Sequence, residues 1–285
     1  MNELKAELHC HSFHSHGTKI RFDGIHSPKE LVENAVKKGI DVLAVTDHNT
    51  LKGSIEAEKH ARNSNLLILK GEEVSTKEGH LLALGIHEEI PEGIPLDEAI
   101  DSIHSQGGIA IAAHPFDLKN EGIKKNALKC DAIESFNAIN LDRISNLKAK
   151  KFAEKNNLIQ VSGSDAHCIE MMGSALIEVK AEKNTDSVLK AIQKGNISLS
   201  NPRYTPIGVI QYYALRKLQL SFPFVQKYIL ENYAHPKKFL SLRMLNLVQK
   251  SPGRIDYFFK FLTYFSYSST LFYAFGRELV LPIKR

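Results

Sequence analysis

Cysteine is scarce in this chain of 285 residues, which contains only Cys10, Cys130 and Cys168. The count is odd, and the spacing is neither that of a disulfide framework nor that of a cysteine-rich structural zinc site. We therefore expect free thiols, a reducing compartment and a cytoplasmic location.

Long apolar runs are also missing. The nearest candidate, residues 261–276, has sixteen residues without a charge. It is interrupted by Ser, Thr and Tyr, and a membrane-spanning helix needs about 18 to 20 apolar residues. No basic segment followed by an apolar core opens the chain, so we expect no secretory signal. The excess of 37 Lys and Arg over 32 Asp and Glu is weak evidence for a phosphate-bearing partner and is typical of an ordinary soluble surface.

Apolar runs typical of strands alternate with helical patterns up to about residue 200. The predicted strands are residues 5–8, 42–45, 66–69, 81–86, 109–112, 132–135, 159–162 and 176–179. The predicted helices are residues 28–38, 51–63, 96–106, 139–156 and 187–194. Alternating strands and helices indicate parallel strands joined by helical crossovers. We expect an α/β fold with a closed or nearly closed barrel, although the pattern also allows an open doubly wound sheet.

The composition changes near residues 201–206. Beyond this point the chain is rich in Phe, Tyr, Lys and Arg, and the strand pattern ends. Pro223, Pro236 and Pro252 mark breaks between helices. The sequence therefore predicts two parts, a barrel over residues 1–205 and a mostly helical, aromatic-rich extension over residues 206–285.

Histidine is abundant, with 13 residues, and several histidines follow predicted strands. His9 and His11 follow the first strand. Side chains two residues apart in a strand point the same way, so both imidazoles would enter one space. In parallel α/β folds, functional residues usually lie at the carboxyl ends of the strands. There this chain places His9, His11, Asp47, His48, Glu73, His114, Glu134, Asp165 and His167.

Imidazole nitrogens combined with carboxylate oxygens suit zinc, manganese or iron. One ion needs three or four protein ligands, and about nine candidates are present. We therefore expect two or three divalent ions, with Glu73 as a bridge between two of them. Two ions about 3.5–4 Å apart can generate a hydroxide and hold both oxygens of a displacement at phosphorus. Cys10 alternates away from His9 and His11, so we expect it to pack behind them.

The ordered motifs resemble those of the PHP family, named for polymerase and histidinol phosphatase. The resemblance covers residues 4 to about 203 and lies in five motifs and one histidine with its following strand. These are His9-Cys10-His11-Ser12, Thr46-Asp47-His48, Gly71-Glu72-Glu73-Val74-Ser75, His114-Pro115 and Ser164-Asp165-Ala166-His167, with His80 before its strand. Any one of these motifs is weak evidence, whereas the full ordered set is highly specific.

This resemblance implies a distorted (β/α)7 TIM-like barrel with a trinuclear metal site at its carboxyl-end face. The implied ligands of the first ion are His9, His11, Glu73 and Asp165. Those of the second ion are Glu73, His80 and His114. Those of the third ion are His48, His167 and the residue seven positions after His9.

In many family members that last residue is the aspartate of an SDG tripeptide. This chain has His16 in the corresponding Ser15-His16-Gly17. Imidazole still binds metals, but a negative charge is lost, so the affinity and identity of the third ion stay open. His14 is an alternative ligand.

The resemblance also implies a phosphoesterase that uses metal-bound hydroxide as its nucleophile. The substrates of the family are small phosphomonoesters, nucleotides or nucleic-acid ends. His48 or His167 would protonate the leaving oxygen, a role that competes with metal ligation, and Asp165 is predicted to be essential for catalysis. Lys119 and Arg203 are candidate phosphate clamps.

Further polar residues have supporting roles in this interpretation. Asp47 would orient a metal ligand from outside the coordination sphere, while Glu134 and Asn137 would line the pocket. Two other functions stay open. One is a metal-binding regulatory module without turnover, and the other is an amidohydrolase that cleaves C–N bonds, which usually needs a different order of ligands.

Three interpretations of the extension compete. Its helices can cover the substrate mouth or form a homo-oligomer interface. Alternatively, they lie on a membrane surface with Lys217, Lys237, Lys238, Arg243 and Lys250 facing lipid headgroups. Aromatic and basic residues together also suggest stacking with nucleic acid, although no ordered stacking motif is visible.

Overall fold

The structure is a computed structural model that describes residues 2–17 and 20–280. Its strands are β1 Asn2–Glu7, β2 Val42–Leu43, β3 Leu67–Ile68, β4 Gly71–Ser75, β5 His80–Leu84, β6 Ile109–Ala112, β7 Ala132–Asn137, β8 Gln160–Gly163, β9 Leu176–Ala181 and β10 Ile197–Ser200. Its α-helices are α1 Pro28–Lys37, α2 Lys52–Ala61, α3 Leu96–Ser105, α4 Ile144–Asn156, α5 Thr185–Gln193, α6 Ile207–Leu220, α7 Phe222–Asn232, α8 Lys237–Val248 and α9 Ile255–Val280. A 3-10 helix spans Lys124–Lys129.

The first helix shows how local sequence sets the element boundaries. Ser27 caps α1, its side chain accepts a hydrogen bond from the backbone of Glu30, and the Glu30 side chain bonds back to Ser27. This reciprocal capping box satisfies two amide groups that a helix start leaves unpaired. Pro28 takes the first helical position, and Gly39 adopts φ +66° just after the end, a conformation that favours glycine.

The ten strands form two mixed sheets, in the orders β10-β9-β1-β2-β3 and β4-β5-β6-β7-β8. The α/β fold is confirmed, but the expected closed parallel barrel is not what the described residues form. β9 runs antiparallel to β1 and β10, and β5 runs antiparallel to β4 and β6. A four-residue turn over 76–79 joins β4 to β5, where the Thr76 N–H donates to the Gly79 carbonyl, and a turn this short cannot carry a parallel crossover.

The edges of the two sheets approach each other at the ends that carry the predicted ligands. Isolated parallel bridges pair His48 with Glu73 and Cys10 with Ala166. Inward-facing side chains from both sheets, such as Leu8 of the first and Ile111 of the second, share one buried cluster. The hydrogen bonding between neighbouring strands is therefore interrupted between the two sheets, yet the strand ends still converge on one space.

Four helices, α6 to α9, follow the last strand, as the composition change predicts. Leu215, Val248 and Phe259 form a small core of their own between these helices. On the other side of α6, Ile210 and Tyr213 pack against a core cluster of residues 10–176. The division into 1–205 and 206–285 stays a prediction, because α6 has contacts in both directions. None of the helices in the described ranges combines the length and the apolar character that a bilayer crossing requires.

Candidate metal centre

The carboxylate of Glu73 lies at the centre of a buried group of histidines. Its Oε1 is 2.9 Å from His114 Nε2 and 3.0 Å from His80 Nδ1. Its Oε2 is 3.2 Å from His48 Nδ1 and 3.4 Å from the Nε2 atoms of His9 and His11. Glu73 lies on β4, whose backbone meets His48 and β5, so three chain segments deliver these groups. The predicted central position of Glu73 therefore agrees with the geometry.

Asp165 provides a second carboxylate on the same cluster. Its Oδ1 is 3.2 Å from His11 Nε2, 3.4 Å from His9 Nε2 and 3.5 Å from His167 Nδ1. Its Oδ2 accepts a hydrogen bond from the Asn137 amide at 3.0 Å. Asp165 has φ +48°, a left-handed conformation that costs a non-glycine residue of order 1–3 kcal/mol and occurs often at functional sites.

The cluster perturbs the ionisation of its own members. Burial alone would raise the pKa of Glu73, but the imidazoles of His80, His48 and His9 hold it well below its usual range. Burial opposes protonation of His48, yet Glu73 and Asp23 raise its pKa to about 9. In the same way, against burial, the hydrogen bond and charge of Glu73 raise the pKa of His114 to about 9.

His11 behaves in the opposite way. Burial and the neighbouring charge of His167 lower its pKa to about 3. Its Nε2 lies 3.2 Å from His9 Nε2. A neutral imidazole with a free nitrogen is the form that binds a metal ion.

Glu134 supports the cluster from behind. Its Oε1 accepts a hydrogen bond from His9 Nδ1 at 3.0 Å, and its Oε2 accepts one from the His114 backbone at 2.8 Å. A proton on His9 Nδ1 leaves the Nε2 atom free to face the cluster. Gly163 on β8 makes room for this arrangement, since a Cβ atom there would collide with the Glu134 carboxylate. Glu134 was predicted to line the pocket, and the structure gives it this orienting contact.

Asp47 does not touch the cluster directly. It accepts hydrogen bonds from the Ser12 backbone and hydroxyl, both at 2.6 Å. Ser15 lies between two predicted ligands, 3.1 Å from His11 Nδ1, and it accepts a hydrogen bond from the His48 backbone at 3.1 Å. Asp47 thus holds the backbone next to His11, which is an indirect positioning contact of the kind expected from the sequence.

A third carboxylate, Asp23, was missed by the sequence reasoning. Its Oδ2 lies 3.2 Å from His167 Nε2 and 3.6 Å from His48 Nε2. Against the effect of burial, the charge and hydrogen bond of His167, the hydrogen bond of His48 and the charge of Lys217 hold the pKa of Asp23 well below its usual range. The available signal was the Asp23-Gly24 dipeptide, in which Gly24 packs tightly against the backbone of residues 11–12.

The structure does not bring His16 into the cluster. Its imidazole is exposed and its Nδ1 donates a hydrogen bond to the Arg21 carbonyl. His14 also stays outside, 2.9 Å from Glu56 Oε2. Metal binding by His16 is therefore an untested prediction that this geometry does not favour.

Helix α6 of the extension reaches the cluster through Asp23. The Lys217 ammonium group donates to Asp23 Oδ1 at 3.1 Å and to the Tyr213 hydroxyl at 2.8 Å. The Tyr213 hydroxyl lies 3.0 Å from both Asp23 Oδ1 and the Asp23 carbonyl oxygen. Lys217 was expected to face lipid headgroups in one interpretation, and it instead makes an ion pair at the site.

A cavity of about 470 Å³ opens beside the cluster, with His114 and Asp165 in its wall. Helices α6 and α9 form the opposite wall, which includes Ile210, Leu262 and Tyr267. This geometry supports one of the roles predicted for the extension, which is to cover the mouth of the site.

The two predicted phosphate clamps are placed differently. Lys119 lines the cavity, with its ammonium group 3.5 Å from Glu121 Oε2. Arg203 is exposed after β10, its backbone N–H donates to the Ser174 carbonyl, and it is absent from the described cavity wall. Phosphate binding by either residue stays a prediction.

The donor set fits divalent metal ions. Four overlapping groups of three side chains each place their potential ligand atoms within 4.8 Å of one another. These groups are His11–His48–His167, His9–His11–Glu73, His9–His114–Asp165 and His48–Glu73–His80. The buried Nδ1 atom of His114 has no hydrogen-bond partner, and that of His80 makes no hydrogen bond although it lies 3.0 Å from Glu73 Oε1. Unpaired buried donors and closely facing imidazole nitrogens are costly unless a cation joins them.

Comparisons with known proteins bear on the family of the chain. The family model described as PHP-associated matches residues 143–197. The chain is 37% identical over 172 residues to an uncharacterized protein of Methanocaldococcus jannaschii, MJ1587, a match that covers 58% of this chain and 98% of that protein. It is 34% identical over 111 residues to a 5'-3' exoribonuclease of Haemophilus influenzae, covering 38% of each chain.

Among solved structures, PsfC from Pseudomonas syringae PB-5123 has a similar fold, with a TM-score of 0.57 and 17% sequence identity. The match covers 77% of this chain and 100% of PsfC, and at this identity it bears on the fold alone. The matched sequences and the ordered motifs, which converge on one cluster, lead to one conclusion. The chain belongs to the PHP family.

Proposed function

We propose that this protein is a metal-dependent hydrolase that cleaves a phosphate ester. The observation that carries the proposal is the contact of one buried carboxylate, Glu73, with five imidazoles at 2.9–3.4 Å beside an open cavity. A purely structural network would not leave buried imidazole nitrogens such as His80 Nδ1 and His114 Nδ1 without a hydrogen-bond partner. The histidine-rich site on a surface cavity supports catalysis rather than a buried structural metal.

We assign two or three divalent ions, Mn, Zn or Fe, to three overlapping ligand sets. His9, His11, Glu73 and Asp165 would hold the first. Glu73, His80 and His114 would hold the second. His48, His167 and Asp23 would hold the third, with Asp23 in the place that the sequence analysis gave to His16.

The protein's own groups have separate tasks in this proposal. When bound, divalent ions acidify a water molecule and neutralise charge on a phosphate group. Glu134 and Asn137 fix the orientations of His9 and Asp165, so that little reorganisation accompanies the reaction. When only two ions are bound, His48 and His167 are not needed as ligands, and one of them would deliver the proton to the leaving oxygen.

The cavity supports a compact substrate. Its wall contains Lys119 as a cation near Asp165, together with the carboxylates of Asp117, Glu121 and Asp142. Lys119 can pair with one phosphate group, whereas the surrounding carboxylates disfavour a long polyanion. One cation among several carboxylates favours a substrate with a single phosphate group at the site. Such a substrate is a small phosphomonoester, a nucleotide or the terminal nucleotide of a nucleic acid. The last option is suggested by the Haemophilus influenzae 5'-3' exoribonuclease, to which the chain is similar over only part of that protein's length.

The proposal is tested with purified protein loaded with manganese and a panel of phosphomonoesters, nucleotides and short RNA. We expect hydrolysis of at least one class. Glu73→Gln should lower the rate by more than about a hundredfold, because changes even outside the coordination sphere typically cost 10–100-fold. Glu98→Gln, the same change on the exposed face of α3, is the matched control and should keep full activity.

Two outcomes would contradict the proposal. Full metal loading without hydrolysis of any phosphate ester would favour a regulatory module that has lost turnover. Hydrolysis that persists unchanged in Glu73→Gln would place the chemistry elsewhere in the molecule.

A further inference from the structure

The charges of the chain are divided unevenly between its two parts. Residues 207–285 contain 12 of the 37 Lys and Arg but only 3 of the 32 Asp and Glu, which gives them a formal charge of +9. Residues 1–206 therefore have a formal charge of −4, although the net charge of the whole chain is only +5. A segment this basic attracts an anionic partner and repels a second copy of itself.

The aromatic residues are concentrated in the same segment, which contains 17 of the 23 Phe and Tyr residues. On α9 many of them are exposed rather than buried, with Phe261, Phe265 and Phe272 between 63 and 81% exposed. A contiguous exposed apolar surface of this kind usually marks an interaction site.

Most of the exposed rings of α9 lie on one side of the helix, and Phe258 and Tyr273 lie outside it. With 3.6 residues per turn, six of them project within about 100° of one another around the helix axis. They are Tyr257, Phe261, Tyr264, Phe265, Phe272 and Phe275. The opposite side of α9 carries Leu262, Ser266 and Tyr267, which line the cavity. We call the six outward residues the aromatic face.

Exposed cations precede most of the aromatic face in sequence. No charged residue occurs from Phe261 to Gly276, whereas exposed Lys250, Arg254 and Lys260 precede this stretch. On the preceding helix α8, Lys237 lies 3.9 Å from the ring centre of Tyr233, so basic and aromatic groups are also combined there.

We propose that the aromatic face of α9, with the basic residues of α7 to α9, binds the surface of an anionic lipid bilayer. Aromatic side chains favour the bilayer interface, where rings contact acyl chains, and Lys and Arg pair with anionic headgroups. Nucleic acid fits less well, because rings that stack on bases need cations beside them along the strand. A second copy fits less well because both surfaces carry the same charge.

The test uses the full chain and sedimentation with vesicles of phosphatidylcholine containing 30% phosphatidylglycerol, compared with pure phosphatidylcholine. We expect binding to the anionic vesicles at low salt and weaker binding as salt is raised. The triple variant Phe261→Ser, Phe265→Ser, Phe272→Ser should reduce the partition coefficient by at least about tenfold. None of these three side chains lines the cavity.

A matched control removes exposed apolar side chains from the other part of the molecule. Val36, Leu128 and Leu147 are 48–55% exposed and lie outside the extension. Their replacement by Ser should leave vesicle binding unchanged. Circular dichroism would establish that both triple variants are folded, and the result does not depend on any catalytic activity.

Three results would overturn the proposal. The first is the absence of binding to anionic vesicles at low salt. The second is equal binding by the aromatic variant and the control variant. The third is dimerisation, or binding of a single-stranded RNA oligonucleotide, that the aromatic substitutions abolish while vesicle binding is unaffected.

Discussion

The contact between Asp23 and Lys217 offers a quantitative test of how the extension is joined to the metal centre. The two groups are 3.1 Å apart, with side chains that are 19% and 24% exposed. A hydrogen bond to a charged group contributes about 1.5–3 kcal/mol, and partial exposure screens the pair. We therefore expect a coupling energy of about 1–2 kcal/mol for this pair.

The coupling is measured by a double-mutant cycle with Lys217→Met, Asp23→Asn and the double variant, each unfolded by urea in metal-free buffer. The pKa of Asp23 is lowered in the folded state, so its contribution is present above its ordinary value of 3.8 and is lost only as the pH falls through the lower folded value. At pH 7 the contribution should therefore be complete.

The control cycle uses Lys227 and Glu231, an exposed pair on α7 whose charged atoms are 3.9 Å apart. Pairs of this kind contribute about 0.3–0.5 kcal/mol. If the coupling of Asp23 with Lys217 is no larger than that of this control, the extension is not held to the site through α6, and the reasoning is refuted.

Three further predictions concern the metal ligands. Asp165→Asn should lose bound ions and at least about 99% of activity with an unchanged far-UV circular dichroism spectrum, and loss of activity with full metal content would show that its role is not ligation. Asp23→Asn should lower the manganese content determined by elemental analysis, whereas His16→Ala should not, and the reverse pattern would restore His16 as the ligand. The pKa values of His48 and His114 are raised to about 9, and metal binding needs neutral imidazoles, so metal affinity should rise with pH up to about 9. Calorimetry at pH 7 in buffers of different ionisation enthalpy should detect proton release, and its absence would contradict this prediction.

The convergence of the ligands was predictable because it follows from local sequence. Alternation in the extended segment after β1 places His9 and His11 on one side, and Asp165 and His167 follow β8 in the same way. Each of these placements depends on a short segment and on the rule that strand ends share an edge. The structure brings all four side chains together.

The direction of several strands was not predictable in the same way. The expectation of parallel strands rests on helices between them, and α3 does lie between β5 and β6. These strands are nevertheless antiparallel, because β5 has already reversed direction after the short turn from β4. Neither β4 nor β10 was predicted as a strand. β4 is a short run with Glu72 and Glu73 at its centre, and its two glutamates conceal the apolar alternation that identifies strands.

Asp23, Tyr213 and Lys217 illustrate what sequence spacing alone does not reveal. Asp23 lies seven positions beyond His16, so a fixed offset from His9 does not select it. Tyr213 and Lys217 follow Asp23 by 190 and 194 residues. Their contacts depend on how α6 packs against the rest of the chain, which a pattern of aromatic and basic residues does not specify.

The most direct test of the central claim is a crystal structure of the manganese-loaded protein with anomalous diffraction data. We expect two or three anomalous peaks, two of them within about 2.5 Å of the Glu73 carboxylate oxygens, as metal–oxygen coordination requires. A structure from manganese-saturated crystals with no peak near Glu73, or with ions bound only at exposed side chains, would contradict the account.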